Sequence, residues 1–309
     1  MLITDILQSD EMCVSFEFFP PKTEAGWERL FKSIANLTPL NPSFVSVTYG
    51  AGGTTRSRTH QLVTRLIKET DLTVLAHLTC RGSRKEEIHD ILERYARNGV
   101  NNILALRGDP RDEEADAPRD FQYAIDLVDY IKKHFPRFSV GVACYPEGHP
   151  DTPNRLKEMD HLKAKVDAGA DYMITQMFFD DHEFYDFRER CEIAGIHMPV
   201  IAGIMPITSI KGMHRMAELS GGTRFPSGLL RAVQRAQGDE YVKHVGVHWA
   251  AEQIRDLIDN KVAGIHLYTL NHSDASMRIC ETLGLSDFGT VIRPGGKALQ
   301  NGASGKLTK

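Results

Sequence analysis

The stretch Lys165-Val166-Asp167-Ala168-Gly169-Ala170-Asp171-Tyr172-Met173-Ile174-Thr175-Gln176 carries the fold in miniature. A helical pattern over Arg155–Ala168 stops at Gly169, where glycine supplies the left-handed turn that ends a helix. A short apolar run, Tyr172–Gln176, follows at once and ends in a polar side chain. The same join of helix, glycine and apolar run recurs at Asn98-Gly99-Val100 and at Ala194-Gly195-Ile196.

Working outward, the unit repeats along the chain. Strands are predicted at Val14–Phe19, Phe44–Thr48, Val74–Leu78, Asn102–Leu106, Ser139–Ala143, Tyr172–Gln176, Val200–Gly203 and Gly264–Tyr268. Between them lie helical patterns at Thr23–Asn36, with Thr23 as N-cap, at Arg58–Glu69, and from a Ser83 cap to Asn98. Others cover Tyr123–Lys133, Arg155–Ala168, His182–Ala194 and a long region ending near Asn260. Repeated β-then-α units imply parallel strands, and eight of them fit a closed, single (β/α)8 TIM barrel. An open doubly wound sheet is the alternative, weakened because no GxGxxG follows the first strand. Gly221 to Gly238 reads as a loop and an extra short helix between strands 7 and 8. No internal linker shows a composition shift, so residues 1–290 are expected to form one domain. Residues 291–309, rich in Gly, Lys and Ser, are expected to be a disordered tail.

Composition narrows the function. The 309 residues are 41% hydrophobic and 25% charged, enough for a large core, and the net charge is -4. That balance gives no bulk attraction to nucleic acid or to an anionic membrane. No apolar run approaches a membrane span. Met1–Met12 lacks the basic start and apolar centre of a signal peptide, so a cytoplasmic protein is expected. Cys13, Cys80, Cys144, Cys191 and Cys280 form no CxxC pair and read as reduced, buried thiols. His244 and His248 share a helical face without a third ligand, so no metal is expected.

A β/α barrel keeps its chemistry at the C-terminal ends of its strands. Here those ends are polar: Glu17, Thr48-Tyr49, His77, Arg107-Gly108-Asp109, Tyr145-Pro146-Glu147-Gly148-His149, Gln176 and Tyr268. Singly each has a bland reading. His77 alone is more often a hydrogen-bonded core histidine, Arg107 and Asp109 a loop-closing ion pair, and Glu17 a salt-bridged layer residue. Their coincidence at nearly every strand end favours a functional rim.

In order and spacing, VSFEFFPPKT (14–23), FVSVTYGAGG (44–53), AHLTC (76–80), ALRGDP (105–110), YPEGHP (145–150), KVDAGADYMITQMFFD (165–180) and LYTLN (267–271) resemble methylenetetrahydrofolate reductase. The chain has the size of the bacterial, catalytic-domain form. The resemblance implies a cytoplasmic flavoprotein oxidoreductase. It would bind FAD, take hydride from NADH or NADPH and reduce methylenetetrahydrofolate to methyltetrahydrofolate by a ping-pong route. It implies Glu17 as proton donor, kept protonated by an apolar pocket of Phe16, Phe18 and Phe19, and Asp109 as the carboxylate beside flavin and folate. Gln176 and Tyr268 would join Glu17 and Asp109 on the substrate. FAD contacts would come from Thr48, Tyr49, Ala51, His77, Arg107, Gly108, Asp109, Tyr123, Ala124, Tyr145 and His149, with Glu158, His161 and Lys165 on the adenosine side. Two positions depart from the family pattern. His272 stands where an arginine would reach the folate, and Met216 where a phenylalanine would pack over the flavin. The expected partners are the folate and the nicotinamide, with no nucleic acid or membrane, in a homo-oligomer.

Two other readings compete. An aldolase would use Lys165 as a Schiff base, which requires a strand-end lysine rather than a helical one. A flavin- and folate-binding subunit would draw electrons from a separate electron-transfer partner protein, since the chain lacks a cysteine cluster of its own.

Overall fold

The structure is a computed structural model, and it describes residues 1–9, 11–49, 53–109, 120–220 and 222–288. Ala51 and the 291–309 segment lie outside these residues. Eight strands close into a barrel in chain order: β1 (Cys13–Phe18), β2 (Phe44–Val47), β3 (Val74–Thr79), β4 (Asn102–Leu106), β5 (Ser139–Cys144), β6 (Tyr172–Thr175), β7 (Val200–Ile204) and β8 (Gly264–Tyr268). Every neighbouring pair is parallel, including the closing pair β1–β8. The open-sheet alternative is excluded by that closure.

The helices ring the barrel: α2 (Glu24–Leu37), α3 (Gly53–Glu69), α4 (Lys85–Arg97), α5 (Ala124–His134), α6 (Arg155–Asp167) and α7 (Asp181–Ile193). Three more, α8 (Ile210–Ser220), α9 (Ser227–Arg235) and α10 (Asp239–Asp259), separate β7 from β8, and α11 (Asp274–Thr282) follows β8. Gly99, Gly169 and Gly195 all adopt positive φ, as their place after a helix requires. Thr23 caps α2 by accepting from the Gly26 N–H at 3.2 Å. Ser83 does not cap α4. Its hydroxyl accepts instead from Arg56 at 3.0 Å, and Glu87 reaches back to the Arg84 N–H to start the helix two residues later.

Strand alternation divides the core in two. On β1, Val14, Phe16 and Phe18 pack outward into the layer between barrel and helices, while Ser15 and Glu17 face the barrel interior. The lower interior is filled by Cys13, Phe44, Leu75, Leu104, Tyr172, Ile174 and Ile201. A short helix not expected from the sequence, α1 (Ile3–Gln8), closes this lower end with Ile3, Ile6 and Leu7. Asn102 fastens it, accepting from the Ile3 N–H at 2.9 Å and donating to the Met1 and Val74 carbonyls. With the bottom sealed by apolar side chains, the polar strand ends are left at the other mouth.

Candidate active site at the barrel mouth

Glu17 is the centre of the mouth. Its Oε2 lies 3.6 Å from Nε2 of His77 on β3 and 3.6 Å from Nε2 of His266 on β8. The carboxylate side chain is 20% exposed, whereas the His266 ring is sealed. The apolar pocket expected around Glu17 is not formed. Phe16 and Phe18 point to the opposite face of the strand because side chains alternate, and Phe19 is 41% exposed beyond the strand end. The neighbours of Glu17 are therefore polar. Burial pushes its carboxyl up, but His266 and His77 outweigh burial and the net direction is below its ordinary value. Burial also holds His77 down, to about 4, so its imidazole is neutral at neutral pH.

Hydrogen bonds to the backbone fix the position of Glu17. Its carbonyl accepts from the Thr269 hydroxyl at 2.5 Å. Two residues on, Asn271 grips Phe19 from both sides, accepting from its N–H at 2.9 Å and donating to its carbonyl at 2.8 Å. Leu270 and Asn271 both take positive φ to make this turn. The loop after β8 is thus clipped to the end of β1.

Tyr268 stands beside this cluster, its ring edge-on to His266 at 5.2 Å and its hydroxyl donating to the Thr175 carbonyl at 2.6 Å. Gly203 on β7 makes room for it: a Cβ there would lie 2.7 Å from the Tyr268 hydroxyl and 2.5 Å from the Thr175 oxygen. Gln176, directly after β6, is half-buried, and its Oε1 accepts from the Met177 N–H at 3.0 Å.

The remaining rim follows β2 to α6. Thr48 is joined to β1 through its N–H, which donates to the Phe18 carbonyl at 2.9 Å, and Tyr49 packs against the core next to it. Arg107 extends from β4 and pairs with Asp151 at 2.8 Å. It does not pair with Asp109, which is exposed and near enough to Tyr145 to help hold that phenol up, after burial, at about 12. Gly108 has φ +86°, and a Cβ there would press on Thr79. Tyr123 is 57% exposed at the N-terminus of α5, with Ala124 half-buried beside it. Tyr145 and His149 meet edge to face at 4.6 Å.

On α6 the three expected residues part ways. Glu158 is buried, and its Oε1 accepts from the His149 N–H at 3.0 Å. His161 is exposed. Lys165 turns inward and donates to the Ala143 carbonyl at 2.7 Å, with burial lowering its pKa. Because Lys165 stands on a helix and reaches a strand carbonyl rather than the barrel interior, the Schiff-base reading loses its geometry. Met216 is buried with Met177, Phe179, Ile207, Leu229, Val233 and Val242, in a cluster against which Tyr268 packs.

His266 and Ser15 were missed from the sequence. Both lie on inward faces and are paired in the β1–β8 register, with Ser15 Oγ 2.7 Å from His266 Nδ1. The available signal was period two: His266 precedes Tyr268 by two residues and shares its face. The five cysteines are free and buried. Among the described residues no group of His, Cys, Asp and Glu is arranged to hold a metal ion. Nor is any helix there long and apolar enough to cross a membrane.

Fold and site together define a β/α-barrel protein with acid–base groups gathered at its C-terminal mouth. A family model described as methylenetetrahydrofolate reductase matches residues 2–284, and the chain belongs to that family. It is 39% identical over 283 residues to the 5,10-methylenetetrahydrofolate reductase of Salmonella typhimurium, covering 91% of this chain and 92% of the relative. It is 38% identical over 305 residues to methylenetetrahydrofolate reductase (NADH) 1 of Arabidopsis thaliana, covering 94% of this chain. The chain spans about half the length of that plant relative, 51%. Among solved structures, an uncharacterized protein from Clostridium thermocellum that binds two copies of 5-methyl-5,6,7,8-tetrahydrofolic acid superposes with TM-score 0.61. At 13% identity, covering 92% of this chain and 99% of that one, it shares the fold.

Proposed function

We propose that this protein reduces 5,10-methylenetetrahydrofolate to 5-methyltetrahydrofolate with a nicotinamide as reductant, and that FAD is its bound cofactor. Family membership together with Glu17 held at the barrel mouth carries this reading. The name of the plant relative supports NADH among the nicotinamides.

The chemistry of the rim fits a flavin dinucleotide. His77 Nε2 is a buried polar atom without a hydrogen-bond partner among the described residues, and it faces the mouth. Arg107 offers a fixed positive charge at the rim, and Gly108 bares its backbone. Thr48, Tyr49, His77, Arg107, Gly108, Tyr123, Ala124, Tyr145 and His149 would line the flavin. Lys165 and His161 would face the adenosine end, where Glu158 would have to share a carboxylate already bound to His149. When bound, the flavin would supply the hydride carrier between nicotinamide and folate.

The side chains divide the folate chemistry. The methylene carbon bridges two nitrogens of a five-membered ring. Glu17, ionised in the open mouth, takes up a proton as the bound folate desolvates it and gives that proton to one of them; the bond from that nitrogen to the methylene carbon breaks, and an iminium cation remains on the other. The Asp109 carboxylate stabilises that cation through its opposite charge. Hydride arriving at the methylene carbon completes the methyl group. Gln176 offers an amide to the pterin, and Tyr268 gives the substrate a rigid aromatic wall.

The test is the visible spectrum of the purified protein supplied with FAD, first under anaerobic NADH and then with methylenetetrahydrofolate. Bleaching followed by recovery is expected. Glu17→Gln is expected to bleach but not recover. Bound flavin that stays oxidised with both NADH and NADPH would instead favour a subunit served by a separate electron donor. Absence of flavin binding would overturn the cofactor assignment.

A further inference from the structure

The closed end of the barrel carries a cavity of its own, remote from the mouth. It is a cleft of about 540 Å³ between the first residues of α1 and the turn that leads from α5 into β5. At about 30 Å³ per water molecule it has room for about 18 of them. Leu2 and Phe138 give it some apolar wall, and the rest of its lining is mainly polar.

The polar groups fall into two sets. Lys132 and Asp171 satisfy each other. The lysine donates to Asp171 Oδ2 at 2.6 Å and to the Phe138 carbonyl at 3.2 Å, and the Val140 N–H donates to the same Oδ2 at 2.6 Å. Their charges cancel, and Asp171 Oδ1 is left as a spare acceptor. The second set has no side-chain partner among the described residues. Arg137 is exposed with all its donors uncommitted, and so are the Thr4 hydroxyl and the Asn101 amide. Ser139 lines the same cleft, is 2% exposed, and has a buried hydroxyl that is unpaired. An unpaired hydroxyl at that depth costs stability, so its place on a cleft wall points to an outside partner.

The chemistry of that partner follows from the two sets. With Lys132 and Asp171 cancelling, the charge left is that of Arg137, and its planar fork of donors matches the oxygens of a phosphate. The free acceptors, Asp171 Oδ1 and the Asn101 amide oxygen, require donors, which a bare anion lacks and hydroxyl groups supply. We propose that this cleft binds the phosphate monoester of a small sugar, with the phosphate on Arg137 and the sugar hydroxyls on Asp171, Asn101 and Ser139. Thr4 brings α1 into the same contact. A ligand held by Thr4 and Arg137 together bridges the plug and the barrel wall. It binds only where α1 is folded, and therefore stabilises the plug. At this face of a β/α barrel the effect falls on stability and leaves the chemistry at the mouth alone.

The test is calorimetric titration of the full chain with glucose 6-phosphate, ribose 5-phosphate, glucose and inorganic phosphate. At least one of the two esters is expected to bind about 10-fold more tightly than inorganic phosphate, and glucose is expected to give no binding heat. Arg137→Gln should weaken the ester about 10- to 100-fold, and Thr4→Val about 5-fold. Arg137 is exposed and unpaired, so its variant is expected to melt like the wild type. Hydrogen exchange at the α1 amides should slow when the ester binds the wild type and stay unchanged in Arg137→Gln. Binding of neither ester, equally tight binding of inorganic phosphate, or ester affinity unchanged in Arg137→Gln would each overturn the assignment.

Discussion

The Tyr268 hydroxyl donates to the Thr175 carbonyl at 2.6 Å, tying β8 to the end of β6 over the small floor left by Gly203. The phenol that the family pattern offers to substrate is thus already occupied by backbone, and what it presents to the mouth is its ring. Tyr268→Phe keeps the ring and leaves the carbonyl unpaired. It is expected to cost about 1 kcal/mol in chemical denaturation and to raise the folate KM only modestly. Gly203→Ala should do more harm. Its methyl group meets the Thr175 oxygen and the Tyr268 hydroxyl, so overpacking of about 1–3 kcal/mol and displacement of the ring are expected. A folate kcat/KM lower than that of Tyr268→Phe would mark the displacement.

Asp109 is exposed at the rim, and its charge reaches Tyr145. An anion beside the flavin disfavours adding negative charge to it. Asp109→Asn is therefore expected to raise the flavin reduction potential, measured by dye equilibration, and to slow the folate half-reaction through loss of cation stabilisation. An unchanged potential would move Asp109 away from the flavin ring.

Glu147 accepts from the Arg224 N–H with both oxygens at 3.1 Å, joining the loop after β5 to the segment between α8 and α9. Burial pushes its carboxyl up from 4.5 to about 7 against the pull of the Arg224 N–H. Between those values the folded protein holds a proton that the unfolded chain has lost. This contribution to stability is complete below pH 4.5 and lost as the pH rises through 7. Glu147→Gln keeps an acceptor without the charge. It is expected to be more stable than wild type at pH 8 by about 1 kcal/mol, allowing for solvent screening of a half-exposed group, and similar at pH 4. Thermal melts at the two pH values would check it, and equal stability at pH 8 would count against the strain at Glu147.

At the opposite end of the barrel, Ile3→Ala removes a fully buried side chain from the plug and should cost about 2–4 kcal/mol. Because the plug and the mouth lie at opposite ends, kcat for the folate step is expected to stay unchanged at temperatures where the protein is folded. A selective loss of kcat would show that the lower interior positions the Glu17 cluster.

Much of this was legible in the sequence, because strands and their glycine stops are local events. Gly99, Gly169 and Gly195 announce their turns within a few residues, and eight strand ends can be read one at a time. The α1 plug was overlooked although Ile3, Ile6 and Leu7 have helical spacing. A six-residue helix has no stability of its own, and only the interior formed by eight distant strands makes it fold. The Ser83 cap failed for a similar reason, since Arg56, 27 residues earlier, claimed the hydroxyl.

The sequence alone determined the barrel and its register of polar ends, because period-two and helical patterns are properties of contiguous residues. The tertiary structure decided what surrounds each end. Phe16 and Phe18 are next to Glu17 in the chain but on the other side of the sheet, while His77 and His266 are 60 and 249 residues away and 3.6 Å from its carboxylate. The charge state of a buried acid depends on the groups across the barrel, and only closure of the sheet brings those together.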